Sequence, residues 1–160
     1  MVDHLTSATI FFDTCVLIDC STPGRIGNDR TRDISHLMNA GHSLMTSITV
    51  IGKMVHAGFE KDTFELTKGI DILRKIMFRI LFPVKELREW CMTVDKEMEE
   101  IGRYGSSVTD RTHFAYTLSS GCDYYVTSKG ETRTLIAPKG TNATTIVPTL
   151  DELLVELKLR

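Results

Sequence analysis

The chain has few of the features that place a protein at sight. Its four cysteines, Cys15, Cys20, Cys91 and Cys122, form no CxxC pair and no zinc spacing. That excludes a zinc finger and a disulfide scaffold, and reduced, mostly buried thiols are expected. No apolar run approaches the ~18 residues that span a bilayer, so no membrane role is expected. The opening Met1-Val2-Asp3-His4-Leu5 lacks the charged and apolar regions of a secretion signal, which predicts a cytoplasmic protein. Nor is there an excess of basic charge: 19 Lys and Arg stand against 21 Asp and Glu. A duplex-DNA binder normally carries such an excess, so any nucleic-acid contact must come from a local patch. Nucleotide loops of the GxGxxG or Walker type are missing, as is a GxSxG nucleophile elbow. Without repeats, low-complexity tracts or linkers, residues 1–160 are expected to form a single domain with a real core.

What the chain does have is an alternation of short apolar runs and amphipathic stretches. Strands are predicted at Ala8 to Phe12, Ser43 to Thr46, Arg79 to Phe82, Asp123 to Thr127 and Thr144 to Val147. Helices are predicted between them: Thr14 to Cys20, Gly27 to Ala40, Thr49 to Gly58, Asp62 to Met77, Leu87 to Gly102 and Asp110 to Ser120. A last helix follows Pro148, where Thr149 and Glu152 have capping-box spacing. Strands joined through helices imply right-handed crossovers and a parallel sheet covered on both faces. The expected class is α/β, three-layered, with a central parallel sheet of about five strands.

The residue of greatest interest is Asp13. It ends the run Ile10-Phe11-Phe12 and precedes the apolar Val16-Leu17-Ile18, which places a carboxylate at the C-terminal edge of the sheet. Ligands bind at that edge in open α/β folds. The plainer role is a helix cap, yet a buried carboxylate must also be paired, hydrated or metal-bound. Asp110 opens a later helix after Ser107-Val108-Thr109, where an acid also suits a capping box. His113 shares its face and is either a ligand, a group that positions water, or packing. Thr127 ends the fourth strand at the same edge, whereas Asp123 begins that strand and reads as structural. Lys129, Arg133 and Lys139 form the local basic cluster, either solvated loop or phosphate contact.

In order, these segments resemble a PIN domain, the fold of VapC-type toxin ribonucleases. The resemblance rests on Phe12-Asp13-Thr14-Cys15-Val16-Leu17-Ile18-Asp19, on Thr46-Ser47-Ile48-Thr49-Val50-Ile51-Gly52, on Asp110-Arg111-Thr112-His113-Phe114-Ala115 and on Tyr125-Val126-Thr127-Ser128-Lys129. It covers nearly the whole chain and implies a PIN-like three-layer α/β/α fold. It also implies RNA cleavage with Mg²⁺ or Mn²⁺ held by clustered carboxylates, hard oxygen ligands suited to those ions. Two positions depart from the family: Gly52 stands where the helix glutamate is expected, and Lys129 where a further acid is expected. Glu60 and Glu131 are candidate stand-ins away from the motif positions.

The resemblance thus implies a metal site of Asp13 and Asp110, with Thr127 positioning water and Lys129 and Arg133 holding substrate phosphate. It also implies an antitoxin-like partner and a homodimer, for which the helices around Ile70 and Trp90 are candidate surfaces. The alternative is a PIN-like module without catalysis that binds RNA or protein. A phosphatase of the haloacid dehalogenase type would need a second Asp at the position of Cys15.

Overall fold

A computed structural model describes residues 7–21, 30–60, 73–75, 78–100, 102, 107–128 and 149–159 of the chain. The apolar run Thr9–Phe12 forms β1, and Thr14–Ser21 forms α1 immediately after Asp13. Then come α2 (Arg30–Asn39), β2 (Ser43–Ser47), α3 (Ile48–Glu60), β3 (Arg79–Leu81) and α4 (Leu87–Glu100). The described chain closes with α5 (Val108–Ser119), β4 (Tyr124–Val126) and α6 (Leu150–Glu156). The expected fifth strand, Thr144 to Val147, and most of the helix from Asp62 to Met77 lie outside the described residues.

Among the described residues the sheet has four strands in the order β3-β2-β1-β4, every pairing parallel. β1 is interior, and the chain crosses to one side of it for β2 and β3, then returns to the other side for β4. The C-terminal end of β1, next to β4, is therefore the point where the strand order reverses, the usual place for a ligand in such sheets.

Phe11 and Phe12 point to opposite faces of β1 and are both fully buried, so both faces are covered. On one face Phe11 stacks on Tyr125 at 5.7 Å, and Phe114 of α5 meets Tyr125 edge-on at 5.7 Å. On the other, Phe12 meets Phe78 edge-on at 5.4 Å. Alternation along β1 and β4 puts Phe11, Asp13, Tyr125 and Thr127 on the face that α5 covers.

Local signals set the ends of the helices. Ser107 caps α5 by accepting the Asp110 amide at 3.1 Å. Gly121, at φ 65, ends α5 in the left-handed conformation that glycine tolerates. Around α6, Thr149 and Glu152 form both halves of the capping box. Arg111 Nε donates to Asp95 Oδ1 at 2.6 Å and ties α5 to α4.

Candidate active site at the C-terminal edge of the sheet

Asp13 continues β1: its amide donates to the Val126 carbonyl at 3.0 Å, which holds it in line with Thr127 of the neighbouring strand. The carboxylate is 1% exposed. Burying such a charge is costly unless hydrogen bonds replace its water, and here they do. Oδ1 accepts the Thr14 amide at 2.6 Å and lies 2.9 Å from His113 Nδ1. Oδ2 accepts the Thr127 hydroxyl at 3.2 Å and the Cys15 thiol at 3.4 Å. Burial alone would raise the Asp13 pKa. The bond and charge of His113, then the Thr14 amide and Cys15, outweigh burial and bring it down to about 2.

Asp110 reaches the same place from α5, at 4% exposure. Its Oδ1 lies 3.5 Å from the ammonium of Lys53, which comes from α3 and is 34% exposed. Ligand atoms of Asp13, Asp110 and His113 all lie within 4.8 Å of one another. His113 is fully buried, and its Nε2 has no hydrogen-bond partner among the described residues. Because an ionised carboxylate only accepts, Nδ1 carries the proton shared with Asp13, and in the neutral ring the lone pair is left on Nε2.

Cys15 fills the gap beside Thr127, with Sγ 3.2 Å from the threonine hydroxyl and accepting the Ser128 amide at 3.3 Å. Burial, then the Asp13 charge, push its pKa up, so it remains a thiol. Burial and the nearby Asp13 and Asp110 carboxylates likewise push Tyr125 well up and keep the phenol neutral.

Asp13, Asp110 and Thr127 are thus brought to one edge, with His113 beside them. Lys129, Arg133, Lys139 and Glu131 lie outside the described residues. Glu60 closes α3, and its side chain lies outside the described residues. Asp123 sits at the opposite end of the sheet, where Oδ2 accepts the Thr9 amide at 2.8 Å. Sequence reasoning missed Lys53. Its only signal was adjacency to Gly52, the position where an acid was expected. A cavity of about 210 Å³ opens beside this edge, lined by Val16, Asp19, Ser128, Thr149, Leu150 and Asp151. None of those residues belongs to the Asp13–Asp110–His113 group.

The donor set fits a divalent ion. Two carboxylates and one imidazole converge, and ions of the Mg²⁺ and Mn²⁺ class complete their spheres with water.

The sequence matches no model of a known protein family, and no curated protein resembles it in sequence. Solved structures do resemble it. VapBC2 from Rickettsia felis, bound to a DNA fragment from its promoter, aligns with TM-score 0.67 at 9% identity over 88% of this chain and 98% of that one. VapBC-1 from nontypeable Haemophilus influenzae gives TM-score 0.64 at 12% identity over 89% and 98%. PAE2754 from Pyrobaculum aerophilum gives 0.59 at 17% identity over 98% and 99%. At these identities the likeness establishes the architecture: the fold is PIN-like.

Proposed function

We propose that this chain is a divalent-metal-dependent endoribonuclease of the PIN type, VapC-toxin-like, with a reduced acidic site. It acts as a single domain over residues 1–160, in the cytoplasm. The observation that carries this reading is the meeting of Asp13 and Asp110, far apart in sequence, in one buried group with His113. Asp13 and Asp110 would hold Mg²⁺ or Mn²⁺, and the His113 nitrogen favours Mn²⁺ over Mg²⁺. Such an ion, when bound, supplies charge at a phosphoryl oxygen and an activated water for in-line attack.

The rest of the work belongs to the chain. The Thr14 amide donates to one oxygen of Asp13 and the Thr127 hydroxyl to the other, which fixes the carboxylate in place, and His113 does most to keep it ionised. Thr127 also borders the place where water would be positioned. Lys129 and Arg133 follow it in sequence and are assigned to substrate phosphate. An antitoxin-like partner or a second copy is supported by exposed apolar side chains just after the edge strand β3, Phe82 at 63% and Val84 at 51%.

A second reading, binding without turnover, is favoured by Lys53, whose ammonium already pairs with Asp110. Two measurements decide between them: calorimetric titration with MnCl₂ and MgCl₂, and cleavage of single-stranded RNA. Wild type binds Mn²⁺ and cleaves, while Asp13→Asn and Asp110→Asn each lose at least about 10²-fold in cleavage. Gly52→Glu, whose Cβ would meet nothing within 4 Å, tightens Mn²⁺ about tenfold by supplying a third carboxylate. Metal-independent cleavage, or full cleavage by Asp13→Asn, sinks the nuclease reading.

A further inference from the structure

The reduced acidic site has a cation of its own. Lys53 follows Gly52 on α3, and its ammonium stands 3.5 Å from Asp110 Oδ1. Asp110 is nearly buried, so a positive charge beside it offsets part of the cost of keeping it ionised. Lys53 is 34% exposed, and its long stem lets the ammonium leave for water at little cost. Coulomb attraction scales as charge over distance. A divalent ion bonded at about 2.1 Å attracts the carboxylate about three times as strongly as an ammonium at 3.5 Å, before dehydration is counted.

We propose that Lys53 is the resident counter-cation of this site. It holds Asp110 until a divalent ion displaces it, and the released ammonium then takes a phosphate of the RNA substrate. The proposal rests on the reading of Asp110 as a metal ligand. It makes Lys53 a positioning residue for substrate, and it makes metal loading weaker than two carboxylates alone would give. A lysine suits this exchange because its ammonium is a mobile point charge, equally able to pair with a carboxylate or a phosphate.

The test is a Mn²⁺ titration of the full chain by calorimetry, for wild type, Lys53→Gln and Lys53→Arg. Removal of the charge should tighten Mn²⁺ roughly three- to tenfold, and the arginine variant should stay within about twofold of wild type. At saturating Mn²⁺, Lys53→Gln should raise KM for single-stranded RNA several-fold, leave kcat within about twofold, and be rescued by Lys53→Arg. The salt dependence of RNA binding should fall by about 0.7 in log–log slope, one phosphate contact on a single strand.

An unchanged or weakened Mn²⁺ affinity in Lys53→Gln overturns the competition. An unchanged KM overturns the phosphate contact. If neither wild type nor Lys53→Gln binds Mn²⁺, the metal reading fails and takes this one with it. If wild type binds Mn²⁺ and cleaves RNA but the variant binds equally, only the role of Lys53 is lost.

Discussion

The two ends of the sheet each hold an aspartate and a histidine, and they use them differently. At the N-terminal end, Asp123 accepts the Thr9 amide, and His42 Nδ1 accepts the Ala8 amide at 3.1 Å. Each residue there stands just before a strand, and each side chain is matched to a backbone donor. At the C-terminal end the side chains face one another instead: Asp13 pairs with His113, and Asp110 with Lys53. The tautomers follow. Because His42 Nδ1 is an acceptor, its proton sits on Nε2, while His113 Nδ1 faces a carboxylate and donates. The same residue types close a ladder at one end and assemble a donor cluster at the other. What separates the two uses is that Asp13, besides the Thr14 amide, takes side-chain partners in His113 and Thr127.

Paired substitutions test that contrast. The largest effect is expected at Asp13. Its folded pKa of about 2 lies below the ordinary 3.8, so the carboxylate stabilises the fold above about pH 4. That contribution, about 2 kcal/mol, is lost as pH falls through about 2. Urea unfolding of wild type and Asp13→Asn from pH 7 to pH 2 should therefore show a stability gap that closes on acidification; a gap independent of pH contradicts the charge network. His113→Gln should come next, losing about tenfold in Mn²⁺ affinity while Mg²⁺ changes less, whereas His42→Gln leaves both ions unaffected by calorimetry. Equal losses for both histidines would erase the distinction between the two ends. The smallest effect belongs to Asp123→Ala, expected to cost about 1 kcal/mol in thermal unfolding through the lost Thr9 bond, with no change in metal binding.

Much of this was legible in the sequence, for stated reasons. β1 was visible because Ile10-Phe11-Phe12 is buried on both faces, which leaves a continuous apolar run rather than an alternating one. Asp13 stood out as a charge closing that run, and Asp110 as an acid three residues after Ser107. The sharing of a face by Asp110 and His113 followed from helical spacing. The bond between His113 and Asp13 did not, because it spans 100 residues and depends on which strand lies beside which. The Lys53–Asp110 pair was hidden in the same way: a lysine on a helix surface carries no mark of the acid it will meet. Nothing in the local pattern near Cys15 announced that its thiol would bridge Asp13, Thr127 and the Ser128 amide.

Thr127 reaches Asp13 across 114 positions of chain, because β4 is the last of the four described strands to be made and pairs with β1 on the side opposite β2. A ribosome-bound chain that has released only β1, β2 and β3 holds Asp13 with neither the threonine nor the imidazole around it. The cluster is therefore a late product of synthesis, assembled only once α5 and β4 have joined the sheet.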